Sequence, residues 1–387
     1  MARDVRPRIW GYGRMRAPMS HETEQSSSGR SEPNFRARLL AWYDAHARVL
    51  PWRESRDPYR VWLSEIMLQQ TRVAAVIAHY HEFLRRFPSV EKLARAREAS
   101  VLAAWSGLGY YRRARMLHAA AKVVVRNLGG KFPVTSEGLR ALPGIGRYTA
   151  AAIASMAFGE PVAVVDGNVE RVLARVSGKR LAGEELWEAA GELLDRGRPG
   201  DFNQAMMDLG ATVCTPRAPE CLMCPVVGLC ATRGELAGGT KAASQKKREI
   251  HYALDYRVKN GGDGAVFLVQ RARDARLMAG MWELPEVEAA VVLAREKQVP
   301  PPRFARGRND AAIRGKAGNN KTIVPLFTVK HSITVTDYTV RVWRCPAPAG
   351  VRGEWVAVER FGRVALTGLA RKILRKADIL GASRSEG

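Results

Sequence analysis

Four cysteines within seventeen residues, Cys214-x6-Cys221-x2-Cys224-x5-Cys230, constrain this chain more than any other feature. Thiolates so close in sequence can wrap one compact metal centre, and prolines at 216, 219 and 225 keep the segment turning rather than helical. The N-terminal segment lacks the apolar stretch of a secretory signal, so a reducing intracellular compartment is expected. There, clustered thiols are metal ligands before they are disulfides. Structural zinc is the alternative, although zinc sites usually show two short cysteine pairs on separate knuckles. Cys345 stands apart and reads as a small buried hydrophobe.

Ahead of the cysteines, from Asn34 to about Gly228, the hydrophobic pattern is almost wholly helical. Phe35, Leu39, Leu40, Trp42 and Tyr43 open it, and segments of roughly 10–15 residues are divided by Phe87-Pro88, Gly129-Gly130 and Leu142-Pro143-Gly144. Residues 1–33 are expected to form a disordered basic tail, with Met15 or Met19 as possible true starts. The polar stretch 232–248 reads as a linker. Beyond it the period shortens, and Ala265–Gln270, Ile333–Val340 and Glu354–Val358 are β-type runs. Residues 300–321 are basic, Gly-rich and loop-like, a helix is expected over about 367–380, and 381–387 form a second tail. The spacing therefore predicts a helical domain at 34–231 and a smaller α+β domain at 249–380.

Charge narrows the partner. The chain carries 62 Lys+Arg against 38 Asp+Glu, a net +24, which favours phosphate contacts and makes nucleic acid the first partner to consider. No apolar run reaches transmembrane length and no long basic amphipathic helix stands out, so no membrane partner is expected.

Three short segments carry candidate chemistry. In Leu142-Pro-Gly-Ile-Gly-Arg-Tyr, Gly144 and Gly146 would let backbone N–H groups approach a phosphate at a helix N-terminus. In the helix opening at Pro58, the stripe Tyr59, Trp62, Leu63, Ile66 and Met67 would be buried, with Glu65 at its border. Partial desolvation there would raise the carboxyl pKa and suit a general acid, whereas an isolated Glu would be a solvated flank residue. In Val164-Val-Asp-Gly-Asn-Val, Asp166 sits among apolar residues and needs partners; it could also simply cap the following helix.

Taken with Leu50-Pro-Trp-Arg, Leu63-Ser-Glu-Ile-Met-Leu-Gln-Gln-Thr, Trp105-Ser-Gly-Leu-Gly-Tyr-Tyr and Phe202-Asn-Gln-Ala-Met-Met-Asp-Leu-Gly, these segments and the cysteine loop make residues 34–230 resemble the MutY-type adenine DNA glycosylases. The resemblance implies an all-α helix–hairpin–helix glycosylase domain of the endonuclease III-like superfamily, with a [4Fe–4S] loop held by Cys214, Cys221, Cys224 and Cys230. It also implies a smaller α+β Nudix-like domain after it. The activity implied is removal of adenine opposite 8-oxoguanine or guanine in double-stranded DNA. A monomer is expected, in the cytoplasm and nucleoid-associated if bacterial.

Roles follow by position. Glu65 would protonate the adenine and then activate water, Asp166 would stabilise the sugar cation or bond to it transiently, and Tyr148 and Asn168 would orient the carboxylates and the sugar. Such a reaction needs a proton for the departing base and a negative charge beside the sugar. Trp52, Arg53 and Gln204 would line the base pocket, while Gln70, Thr71, Leu108 and Tyr110 would read or wedge the damaged pair. Where bifunctional relatives have a nucleophilic lysine, this chain has Tyr148, so a monofunctional enzyme leaving an abasic site is expected.

In the second domain, Leu277-Met-Ala-Gly-Met-Trp-Glu-Leu-Pro resembles the lesion-recognition signature, without the acidic Nudix box. The family's Phe-Ser-His turn is replaced by Ile333-Thr334-Val335, leaving Thr334 as the candidate lesion contact. The alternatives are a glycosylase for thymine opposite guanine and a DNA-binding module without chemistry; Glu65 argues against both.

Overall fold

The computed structural model describes residues 28–236, 246–258, 264–275, 277–288, 324–333 and 336–380. Helices α1 (Ser28–His46), α2 (Pro58–Leu68), α3 (Val73–Arg86), α4 (Val90–Arg95), α5 (Glu98–Ala104) and α6 (Arg112–Leu128) come first. They are followed by α7 (Ser136–Arg140), α8 (Arg147–Phe158), α9 (Gly167–Ser177), α10 (Gly183–Leu193) and α11 (Pro199–Thr212). The cysteine segment then turns through two short 3-10 helices, Cys221–Met223 and Val227–Leu229.

The helical domain has two cores. One is built by α2 to α8 around Trp62, Tyr80, Phe83 and Trp105. The other joins the first helix to the last three: Phe35 and Leu39 of α1 pack with Val172 of α9 and with Phe202 and Leu209 of α11. The chain thus leaves one lobe, builds the other and returns, and the space between the lobes is where a ligand can be enclosed.

The second domain holds β1 (Lys246–Ala253), β2 (Tyr256–Arg257), β3 (Ala265–Gln270), β4 (Trp282–Glu283), β5 (Phe327–Ile333), β6 (Thr336–Trp343), β7 (Glu354–Ala357) and α12 (Gly368–Lys376). One sheet has the order β1-β6-β5, with β1 parallel to β6 (Ile250 opposite Val340) and β5 antiparallel to it. In the other, β3 pairs with β2, β4 and β7. Leu369, Ile373 and Leu374 of α12 close the core against Leu268 and Val342.

Three boundaries differ from the sequence reading. Helix α1 starts at Ser28, inside the segment expected to be a tail, because a helix anchored by Phe35 and Leu39 propagates backwards at little cost once nucleated. Strand β1 starts at Lys246, inside the expected linker; its first residues are polar and exposed, as suits an edge strand, so composition hid them. The run Ile333–Val340 is not one strand, since β5 ends at Ile333, which lies opposite Thr336 at the start of β6. Thr334 and residues 300–321 lie outside the described residues.

The two domains meet at one seam. Met281 and Ala365 insert into the core of the first lobe. The carbonyl of Leu366 accepts hydrogen bonds from Ser106 Oγ (2.7 Å) and the Tyr111 hydroxyl (3.1 Å), and Ser106 Oγ accepts one from Arg371 Nε (2.8 Å). Among the described residues no helix is long and apolar enough to cross a membrane.

Candidate active site

Helix α2 opens with Asp57 as N-cap, accepting from the Arg60 N–H (3.0 Å), and with Pro58 in the first turn, where a missing N–H costs nothing. Every residue from Val61 to Met67 is buried, Glu65 at 4% exposure included. This goes beyond the border position that the apolar stripe suggests. Helices α3, α6 and α8 surround α2, so its polar flank is enclosed as well. Burial is the main force on Glu65 and pushes its pKa up to about 7; Asp166 adds to the rise, while the Tyr148 hydrogen bond and Arg53 oppose it. The Tyr148 hydroxyl, 2.7 Å from Glu65 Oε2, is itself raised by burial and by Glu65, and so stays a proton donor.

Asp166 is the N-cap of α9. One of its oxygens accepts from the Asn168 and Val169 N–H groups (2.8 Å each) and the other from Asn168 Nδ2 (2.8 Å). Three donors at a helix N-terminus fix the orientation of this carboxylate. Gly210 of α11 lets this turn approach closely: a Cβ there would meet Asn168 Cβ at 2.6 Å. Arg171 extends the arrangement, donating from Nη2 to Asn168 Oδ1 (2.8 Å) and from Nε to the Cys214 carbonyl (2.7 Å).

Glu65, Tyr148, Asp166, Asn168, Trp52, Arg53 and Gln204 all line one cavity of about 680 Å³ between the lobes. Trp52 is set edge-on against Tyr80, with ring centroids 5.5 Å apart. Arg53 does not point freely into the space: Nη1 and Nη2 bind Asp208 (2.8 and 2.9 Å), which also takes Arg48 Nε (2.9 Å). Asp208 is 1% exposed, and the two guanidinium groups hold its carboxyl below the ordinary range against the opposing effect of burial. Sequence reasoning passed over Asp208 and Arg48. The available signal was a lone acid in the apolar run Met206-Met207-Asp208-Leu209, which demands a cationic partner.

In the hairpin, Gly144 has φ +76° and faces α6 so closely that a Cβ would meet Met116 Cβ at 2.4 Å. Gly146 caps α8 and has open space where a Cβ would sit. The first glycine serves the turn and its packing, while the second leaves the helix N-terminus accessible. Arg147 is turned aside, pairing with Glu184 and lying 4.1 Å over the Trp187 ring.

Gln70 and Thr71 follow α2, and Leu108 and Tyr110 precede α6. Gln70 (φ +55°) and Tyr110 (φ +46°) are left-handed non-glycine residues. Tyr110 is 46% exposed, whereas Leu108 is buried and its carbonyl accepts from Arg113 of α6. Gln70, Gly109 and Tyr110 form one wall of a cleft of about 1200 Å³ between the domains; Leu277, His331 and Lys372 contribute to the opposite wall.

Cys214, Cys221, Cys224 and Cys230 line one small cavity behind α9. Burial, with smaller pushes from the other three cysteines, raises the Cys224 thiol. Arg175 Nη1 donates to Cys214 Sγ (3.3 Å) and the Arg233 N–H to Cys230 Sγ (3.4 Å). Among the described residues no three His, Cys, Asp or Glu side chains gather closely enough to share a single metal ion.

Residues 63–194 match the model of the HhH-GPD superfamily base excision DNA repair protein. The chain is 41% identical over 312 residues to the adenine DNA glycosylase of Homo sapiens, an alignment spanning 65% of this chain and 57% of that protein. It is 39% identical over 316 residues to the Arabidopsis thaliana adenine DNA glycosylase, covering 69% of this chain and 49% of the relative. This chain therefore spans roughly half to three fifths of these curated relatives. Among solved structures, a thermostable thymine-DNA glycosylase superposes with a TM-score of 0.51 at 32% identity, covering 53% of this chain and 98% of that one. By this match and by its helical architecture, the chain belongs to the HhH-GPD superfamily of base excision DNA repair proteins.

Proposed function

We propose that the chain is a monofunctional adenine-DNA glycosylase acting on adenine opposite 8-oxoguanine or guanine in duplex DNA. The observation that carries this is the carboxyl pair in one cavity: Glu65 buried and titrating near neutrality, Asp166 held by three donors. Glu65, enclosed and raised toward neutrality, suits acid work, while the Asp166 carboxylate, fixed by its three donors, suits charge stabilisation. An adenine swung out of the stack would enter beside Trp52 and receive the Glu65 proton as its bond to the sugar breaks. Asp166, ionised, would face the positive charge that develops on the sugar. Glu65, now a carboxylate steadied by the Tyr148 hydroxyl, would then take a proton from the attacking water. Tyr148 offers no amine for an imine, so the product is an abasic site in an unbroken strand.

The curated relatives are named adenine DNA glycosylases, whereas the solved relative is a thymine-DNA glycosylase. Glu65 favours the first, because adenine leaves readily only when protonated. The second domain would read the base opposite the adenine as a Nudix-like recognition module, supported by the placement of Leu277 and His331 across the cleft from Tyr110.

Cys214, Cys221, Cys224 and Cys230 would hold a [4Fe–4S] cluster. An all-thiolate set around one cavity, with N–H groups aimed at sulfur, suits a cluster; tetrahedral zinc needs its thiolates about 2.3 Å from one point. When bound, the cluster supplies a covalent tie for the loop that follows α11.

The test is purified protein on duplexes with adenine opposite 8-oxoguanine, adenine opposite guanine and thymine opposite guanine. Adenine release with strand breaks only after alkali is expected. Release of thymine alone would sink the assignment, and breaks without alkali would refute the monofunctional mechanism.

A further inference from the structure

Arg113, in the first turn of α6, is a half-buried cation for which no carboxylate partner exists among the described residues. Desolvation lowers its pKa to about 10, with Tyr110 opposing. Such a group persists only where its surroundings supply compensating dipoles. Here they come from three segments, the end of α2, the loop after it and the loop before α6. Nη1 donates to the carbonyls of Ile66 (2.7 Å), Met67 (3.0 Å) and Gln69; Nη2 donates to Thr71 Oγ1 (3.1 Å) and to the carbonyls of Leu108 (3.0 Å) and Gly109 (3.3 Å). The guanidinium also lies 5.4 Å from the Trp105 ring and 5.6 Å from that of Tyr110.

The Ile66 and Met67 carbonyls belong to the last turn of α2, where helix carbonyls lack intrahelical partners and a cation is favoured. The remaining acceptors lie beside Gln70 and Tyr110, left-handed non-glycine residues that line the cleft between the domains. Neither loop has a glycine at its strained position, so each depends on outside contacts to hold that shape. A lysine in place of Arg113 would bring one ammonium and could not span both loops, whereas the planar fork does so.

We propose that Arg113 is a positioning residue that locks the loops carrying Gln70 and Tyr110 into the shape required to open and read the mispair. The inference rests on the adenine-glycosylase reading, but it assigns to Arg113 a role apart from the bond-breaking step.

The experiment compares wild type, Arg113→Gln and Arg113→Lys in single-turnover adenine release. The substrates are duplexes with adenine opposite 8-oxoguanine, opposite guanine, and opposite a tetrahydrofuran abasic analogue. The last has no partner base to read and no pair to open. Both variants are expected to lose at least tenfold more rate on the 8-oxoguanine duplex than on the abasic-opposed one. A uniform loss on all three substrates, or rescue by lysine to the wild-type ratio, would overturn the proposal. Should Arg113→Gln fail to fold, Arg113→Lys still decides it. A wild-type protein inert on every substrate would overturn the glycosylase reading and this inference together. An active wild type whose variants keep its substrate ratio would overturn the inference alone.

Discussion

The Tyr148 hydroxyl lies 2.7 Å from Glu65 Oε2, joining the residue after the hairpin to a carboxyl 83 positions earlier in the chain. The bond favours the ionised carboxylate, while the burial that surrounds both groups favours the neutral acid. Burial wins, leaving Glu65 able both to give and to take a proton near pH 7.

Tyr148→Phe removes a hydrogen bond that lowers the Glu65 pKa, so that pKa should rise above its present value near 7. A hydrogen bond to a charged group contributes about 1.5–3 kcal/mol, which sets an upper bound of roughly 1–2 pH units on the shift. The pH profile of single-turnover adenine release should move its alkaline limb upward by part of that range. A profile that keeps its midpoint would show that Tyr148 does not tune the acid.

Glu65→Gln should abolish adenine release while leaving duplex affinity within a few-fold. It should also stabilise the fold above neutrality. A carboxyl whose folded pKa is about 7 against 4.5 unfolded favours folding below pH 4.5 and loses that contribution as pH rises to 7. The loss is at most about 3 kcal/mol. Melting temperatures of variant and wild type should therefore diverge between pH 5 and pH 8 in the variant's favour. A constant difference across that window would contradict the burial of a titrating Glu65.

Asp208→Asn leaves Arg48 and Arg53 without their shared carboxylate in a half-enclosed setting. A cost of roughly 3 kcal/mol is expected in urea unfolding. Arg53 would also lose its anchor beside the base pocket, so adenine release should fall more than binding. Unchanged stability would mean that solvent replaces the pair at no cost.

Cys224→Ser should yield protein with little bound iron or inorganic sulfide, without the broad visible absorption of the wild type, and with a lower melting temperature. Zinc in the wild type in place of iron and sulfide would refute the cluster assignment. That result would leave the carboxylate chemistry untouched.

Much of the site was legible because its residues sit in compact segments. Glu65, Asp166, Tyr148 and the four cysteines each stand out as candidates within the short motifs that hold them. Their settings were less visible. The stripe on α2 placed Glu65 at an apolar border, yet packing of α3, α6 and α8 around α2 leaves it buried at the wall of the cavity. Nothing in the basic run Arg112-Arg113-Ala114-Arg115 sets Arg113 apart, since the six acceptors that define it come from three segments. In the second domain, polar residues concealed the start of β1, and one apparent β run proved to be parts of two strands.

By itself the sequence determined which chemistry is available: two carboxylates, a tyrosine where an amine would stand, four thiols in one turn-rich loop, and a hairpin open to phosphate. Only the tertiary structure decided the state of those groups. Protonation and charge pairing depend on desolvation and on partners far away in sequence, such as Tyr148 for Glu65 and Asp208 for Arg53. Local pattern carries no record of either, because both arise when the two lobes close on the cavity between them.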